Sequence, residues 1–467
     1  VKTSTELWRT EGYTAWFTAD TAAAIGATLR GFAIPLIAFS VSQSLTTAGW
    51  LSTLSVALQQ IFGLFGGTLV DRHPRKPLII GNALIQMLLW ASVSLLMLSG
   101  RLSMAFLFTV VALSACTTGL IGKATDAALR SIIGAQNYSK ARSINEGRDA
   151  TINMAGSPIG GILYGIQPWL PFVCSAVVYA LAGGSAMRLH LHEHLGLSTS
   201  PTDKREHKRH LRERTKSSSG TQESRTVTER DIAFESGVAE ENGVTPEIGA
   251  ATNDVAPQSS FLSDFLLGWR WSFHTKRIPL IIASASLLNF GLAGVQYTIQ
   301  LHLINIGTDP FYIGLMDTGV CIGMLVGAVL ANRLSTTAHV GKTMCVSFTL
   351  AFLFMVPMLF DNDYWVIFVC YTCMAAPFPM VNSMLFGFVF SKTDENLQGR
   401  VSTAISAPAQ MLSMFCSGIA GTILPLMGFT ATAALFLATM AVSALIATLT
   451  PAIRTIPRSS EWADAEL

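Results

Sequence analysis

Three charged side chains stand well inside long apolar runs and are the residues best placed to do chemistry, whereas Glu146, Arg148 and Asp149 cluster at the start of the run 144–166, with Lys123 and Asp126 at the end of the run 103–126. Asp20 and Arg30 share the run 14–42, and Asp317 lies early in the run 309–333. A charge at mid-bilayer costs about 2.5–3.5 kcal/mol on insertion scales, so such a group faces a cavity or a partner. A carboxyl there can take up and release a proton as its surroundings open to water and close again. A fixed guanidinium repels cations and favours an acidic or amphipathic ligand. Asp20 and Arg30 are separated by about 15 Å of helix, too far to pair directly. For Asp20 the competing reading is a structural salt bridge to a neighbouring helix; for Arg30 it is neutralisation of Asp317 or of another buried acid. Asn289, Gln296, Tyr297, Gln300 and His302 in the run 278–303, and Phe378, Asn382 and Phe386 in the run 364–391, add neutral polar and aromatic groups. Polar groups this deep need partners and line pathways.

The elements that must position these groups are read from hydropathy. The chain has 467 residues, 50% hydrophobic and 13% charged, against about 25% charged in an ordinary soluble domain. About a third of its charged side chains fall within 191–260, which leaves the remainder membrane-like. A crossing helix needs about 20 apolar residues. By that measure there are twelve spans: 14–42, 48–70, 77–99, 103–126, 144–166, 168–190, 278–303, 309–333, 342–360, 364–391, 401–425 and 428–451. None alternates as a membrane strand would, so the expected class is an all-α integral membrane protein.

Twelve spans with the N-terminus inside place Arg72, Arg75, Lys76, Arg130, Lys140, Arg142, Arg333, Lys342, Lys392, Arg400, Arg454 and Arg458 on one side, with Arg101 alone on the other. Basic residues stay cytoplasmic, so both termini are expected in the cytoplasm of a plasma-membrane protein, the bacterial inner membrane being the natural setting. The domain plan is a first six-helix bundle over 1–193, a disordered cytoplasmic loop over 194–259, an amphipathic interfacial helix over 260–276, a second bundle over 277–453 and a tail over 454–467. The loop follows from its Ser, Thr, Glu, Lys and Arg content. The helix follows from Phe261, Leu262, Phe265, Leu266, Trp269 and Phe273 at helical spacing, although a plain linker helix fits equally.

The turn after the second span reads Gly67-Thr68-Leu69-Val70-Asp71-Arg72-His73-Pro74-Arg75-Lys76. It resembles the major facilitator superfamily signature G-x-L-x-D-R-x-G-R-K, with Pro74 where Gly is usual, a departure shared with the drug and siderophore exporter branch. Gly63, Gly67 and Asp71 fall at four-residue steps on one helix face, so the helix can approach a neighbour and present a carboxylate at its end. The resemblance implies that Asp71 caps the helix beginning near Arg400, that Arg72 or Arg75 pairs with Asp126, and that these contacts with Lys76 lock the cytoplasmic gate. Phe265–Arg270 and Gln398–Ser402 resemble the macrolide-efflux and enterobactin-exporter members of the same branch. In the fifth span, Gly156-Ser157-Pro158-Ile159-Gly160-Gly161 looks like the antiporter motif G-P-x-x-G-G out of register, although small residues also let any two membrane helices touch.

The resemblance implies two pseudo-symmetric six-helix bundles rocking about a central site, lined by spans one, four, seven and ten. A weak repeat at an offset near 260 agrees, and Gly319, Gly323 and Gly327 echo the spacing of span two, with Asn332-Arg333 where an Asp-Arg would stand. The expected activity is proton-coupled export of a small amphipathic or anionic molecule by a monomer, with an importer or uniporter as the alternative and a membrane sensor as the alternative of another class. A net charge of +2 offers no concentrated basic surface for nucleic acid. No cofactor or metal site is expected. Cys370 and Cys373 form a C-x-x-C without a second pair, His190, His192, His194, His207 and His210 lack the spacing of a zinc helix, and no nucleophile–base pair recurs in the spans.

Overall fold

Turn chemistry cuts the apolar runs into helices. The computed structural model describes residues 4–10, 12–133, 135–189, 278–334, 338–393, 398–458 and 461–462. The expected loop 194–259, the interfacial helix 260–276, the five histidines near the loop and the Phe265–Arg270 stretch lie outside the described residues. The short α1 (Ser4–Arg9) precedes α2 (Tyr13–Ser42), α3 (Leu45–Arg72), α4 (Arg75–Leu98), α5 (Met104–Ile121), α6 (Ala124–Ile132), α7 (Ala135–Ile166) and α8 (Leu170–Met187). The second half holds α9 (Ile278–Asn305), α10 (Pro310–Leu334), α11 (Val340–Met355), α12 (Tyr364–Ala375), α13 (Phe378–Ser391), α14 (Gln398–Ser413), α15 (Cys416–Leu449) and α16 (Pro451–Arg454). Ser44, Ser103 and Asp363 cap α3, α5 and α12 by accepting from backbone N–H groups of the first turn, which satisfies donors that a helix start leaves open.

Ten stretches are long and apolar enough to cross a membrane, and the last, Ile405–Leu449, has 45 residues. As one rod it would run about 68 Å, twice the hydrocarbon core. Gly428, at φ 77° and ψ 176°, breaks it and turns the chain back, so that it crosses twice. The remaining crossing is α7, whose first half carries Arg142, Glu146, Arg148 and Asp149 and is too polar to qualify on composition. Among the described residues twelve crossings result, as expected. Gln43, Gly100, Gly307 and Gly428, all with positive φ, lie in turns at the end away from the basic loops. Large apolar side chains such as Leu95, Leu181 and Leu426 are exposed, as a surface facing lipid requires.

Each half uses the same pair of spans for its closest internal approach. In the first, α3 meets α5 at Gly66, where a Cβ would run into the Gly119 carbonyl oxygen, and at Gly119, where it would lie 2.6 Å from the Gln59 carbonyl oxygen. In the second, α10 meets α12 at Gly319, Gly323 and Gly327, against Thr372 and Ala376. These are spans two and four, then eight and ten, which is the pseudo-symmetry of the two bundles. The expected packing residue Gly67 meets nothing within 4 Å; Gly66, one position earlier, points at α5 instead.

The halves touch along two seams. In one, α7 lies on α10, with Gly161 against the Pro310 backbone and Gly314 against the Ser157 carbonyl, and the Thr318 hydroxyl donates to the Met154 carbonyl at 2.6 Å. In the other, α3 lies on α15, with Gly49 against Ser417 and Gly421 against Leu45. There Thr46 donates to the Gly421 carbonyl at 3.0 Å, Trp50 to the Thr422 hydroxyl at 3.1 Å, and the Gly418 N–H to the Thr53 hydroxyl at 2.8 Å. The bond from Gln60 to Gln410, 2.8 Å, is the cross-half hydrogen bond nearest the basic loops among the described residues. Both seams therefore close the end away from those loops, and the halves part towards them.

Candidate functional site

The second half offers a cavity of about 460 Å³ walled by Asn289 and Gln296 of α9, Tyr371 of α12, Phe378 and Asn382 of α13, and Gln410 of α14. A smaller space of about 40 Å³ follows, lined by Gln296, Gln300, Asp317 and Tyr371 with apolar neighbours. Gln296 and Tyr371 border both, so the neutral polar wall leads to the Asp317 carboxyl. Asp317 sits two turns into α10, on the face packed against α7, because Gly314 one turn earlier lets the two backbones close up. Its Oδ2 accepts a 2.7 Å hydrogen bond from the Ser157 hydroxyl of the other half, and it forms no ion pair among the described residues. A carboxyl with a hydroxyl partner at the seam between the halves can exchange a proton without stranding a cation. Of the other expected residues, Asn289 donates to the Ala285 carbonyl at 2.8 Å, Tyr297 packs half-buried on the core of its half, and His302 stacks on Phe429 at 4.3 Å.

Asp20 and Arg30 stand differently from their expected place at the cavity. Asp20 Oδ2 lies 2.6 Å from Arg148 Nη2, and Arg148 also holds Asp149 at 2.7 Å, donates to Thr21 at 3.3 Å and lies over the Phe17 ring. The structural salt bridge is what the geometry shows. It ties α2 to the polar start of α7. Arg30, 8% exposed, points into the first bundle. Its Nη1 donates to Gln86 Oε1 at 2.8 Å and to the Tyr179 hydroxyl at 2.7 Å, its Nη2 lies 3.5 Å from Thr118 Oγ1, and it faces the rings of Trp90 and Tyr179. It does not neutralise Asp317 or any other acid among the described residues. Gln86 Oε1 also accepts from Trp90 and Ser114, so neutral dipoles solvate the guanidinium.

Among the described residues, Asp71 makes no gate contact and neither Arg72 nor Arg75 pairs with Asp126. Asp71 and Arg72 are exposed at the end of α3, and Asp71 has no described partner. Asp126 pairs with Arg142 at 3.8 Å, in place of the expected Arg72 or Arg75, while Arg75 donates to the carbonyl of the adjacent Ala127 at 2.8 Å. Lys76 is half-buried, and the Arg400 side chain lies outside the described residues. The glycine run of α7 divides its work: Gly156 and Gly160 admit Thr28 and Phe32 of α2, Gly161 admits α10, and Pro158 stays within the helix. Cys370 and Cys373 are free on α12.

Ser157, Tyr371, Gln86, Tyr179 and the Gln60–Gln410 pair escaped the sequence reading. Ser157 was masked by the glycines around it, although a hydroxyl inside a small-residue run is a sign of a polar seam. Neutral partners such as Gln86 and Tyr179 leave no charge pattern to follow.

Two like bundles that meet along seams near one face and part towards the other have the architecture of a membrane transporter. Residues 17–410 match the model of the Major Facilitator Superfamily, and the chain belongs to that family. No curated protein sequence matches the chain. Among solved structures it is similar to a bacterial homologue of the iron transporter ferroportin in an inward-facing state, with 15% identity, coverage of 98% of this chain and 100% of that one, and a TM-score of 0.63. It is also similar to the nucleoside transporter NupG (9% identity, 93% and 99% covered, TM-score 0.61) and to the peptide transporter POT (12%, 95% and 95%, TM-score 0.62). Identities this low speak for the fold alone.

Proposed function

We propose that the protein is a proton-coupled exporter of a small amphipathic or anionic molecule, working by alternating access as a monomer in the plasma membrane. The basic loops and both termini face the cytoplasm in this reading, by the preference of translocated chains for few Lys and Arg. The state described is then open inward. The observation that carries the proposal is the placement of Asp317: it borders the cavity on one side and bonds Ser157 across the closed seam on the other. Protonation from the cavity removes the charge that Ser157 solvates, which changes the seam and the carboxyl together. Export is supported by the likeness of the α7 glycine run to the antiporter motif, since its Gly161 sits in that seam. In the opposite state the Asp71 turn closes on the start of α14 near Arg400, with Arg72, Arg75 and Lys76 beside it. Iron, nucleosides and peptides in the names of the similar structures show that this fold does not choose a substrate.

The test is flux in proteoliposomes with an imposed proton gradient and a panel of anionic, neutral and cationic amphiphiles. Extrusion that consumes the gradient supports the proposal. Accumulation with the gradient identifies an importer, and flux indifferent to it a uniporter.

A further inference from the structure

A cavity of about 770 Å³ lies to the side of the Asp317 site, between α3, α5 and α14, within the size range of small-molecule pockets. One wall is apolar and accessible: Ile61, Leu64, Met411 and Phe415 are 47%, 37%, 45% and 42% exposed. The inner wall is polar. It includes Thr118 and Lys123, and Gln60 and Gln410 join across it. Gln410 also borders the cavity of the second half, so a ligand here stands one hydrogen-bonded side-chain pair from the transport path.

The charge of the inner wall comes from behind it. Arg30 reaches Thr118 at 3.5 Å, and its remaining described partners are neutral. In a low-dielectric bundle an uncompensated guanidinium acts at longer range than in water. Lys123, which donates to the Gly63 carbonyl at 3.2 Å, adds a second cation towards the mouth. Asp126, also at the mouth, is engaged by Arg142.

We infer that this side cavity binds a single-chain anionic amphiphile that enters from the surrounding leaflet, its head at Thr118 and Lys123 and its chain along Leu64 and Met411. This rests on the transporter reading above and names the substrate class and its point of entry. The occupant is free cargo, and a two-chain phospholipid in its place is an outcome that the test detects.

The test uses the full chain in phosphatidylcholine nanodiscs without a gradient, so that binding is read independently of proton coupling. A photoactivatable diazirine analogue of dodecanoate is the probe, mapped by peptide mass spectrometry. Labelling should concentrate on Ile61, Leu64, Met411 and Phe415, and dodecanoate should compete about tenfold better than dodecyltrimethylammonium. Arg30→Gln should cut that preference to about twofold or less. Thr118→Leu keeps the cation but removes the hydroxyl that accepts from Arg30 and Gln86 and places an isobutyl group between guanidinium and cavity; it should lower the preference in a folded protein even where Arg30→Gln fails to fold. Equal competition by the cation and the anion, labelling spread over the whole lipid-facing belt, displacement of the probe by phosphatidylglycerol, or an unchanged preference in folded Thr118→Leu would each overturn the inference.

Discussion

Asp20 and Asp317 are both carboxyls within apolar spans, yet their partners differ in kind. Asp20 is held by Arg148, which is also shared with Asp149, and the three side chains stitch α2 to α7 inside one bundle. Asp317 is held by a hydroxyl from the opposite bundle, next to a cavity. A carboxylate matched by a guanidinium is compensated, and neutralising it leaves a cation behind. One matched only by a hydroxyl can change charge within its own site. The first arrangement builds a bundle, whereas the second can report its protonation to a seam that must open. The comparison is why the proposed coupling role is given to Asp317 and not to Asp20, which the sequence reading put first.

The largest effect should come from Asp317→Asn. Gradient-driven flux should fall by about a hundredfold, equivalent to roughly 3 kcal/mol, while gradient-free exchange persists in the same vesicles. Gly314→Val comes next: a side chain there meets the Ser157 backbone, so the α7–α10 seam should spring apart and cysteines introduced beside it should become reactive from the far side. Asp20→Asn should cost about 2 kcal/mol of stability through the lost charged hydrogen bond, seen as a lower unfolding midpoint, with flux within about twofold of the parent. Uncoupling by Asp20→Asn with Asp317→Asn still coupled would reverse the assignment. The smallest effect on stability belongs to Gly67→Leu. Its added side chain meets nothing in the state described, so the unfolding midpoint should hold within about 0.5 kcal/mol, while flux should drop because the closed gate needs that face bare.

Residue by residue, the sequence disclosed what depends on one helix and concealed what depends on two. Apolar length was enough to place the crossings, and Gly428 separates the last two just where the reading ended one span and began the next. Asp20 and Arg148 were both visible as charges near one membrane face, but their pairing spans 128 positions of chain and follows only from how α2 crosses α7. Arg30 was legible as a buried cation. Its solvation by Gln86 and Tyr179 was not, because neutral dipoles leave no mark in a charge pattern. The expected link from Arg72 or Arg75 to Asp126 gave way to Arg142 because α6 turns Asp126 towards the start of α7. The Asp71 turn was recognised as a motif, and its exposure reflects which face of the protein is open.

Alternating access requires the two faces to open and close in opposition. Double electron–electron resonance on a reactive-cysteine-free background tests it most directly, with one spin-label pair at Arg72 and Arg333 on the basic face and another at Gln43 and Asp361 on the opposite face. On imposing a proton gradient in the presence of a transported amphiphile, the distance across the basic face should shorten while the distance across the opposite face lengthens in the same population of molecules. Two distances that stay fixed during active flux, or that lengthen and shorten together, would contradict it.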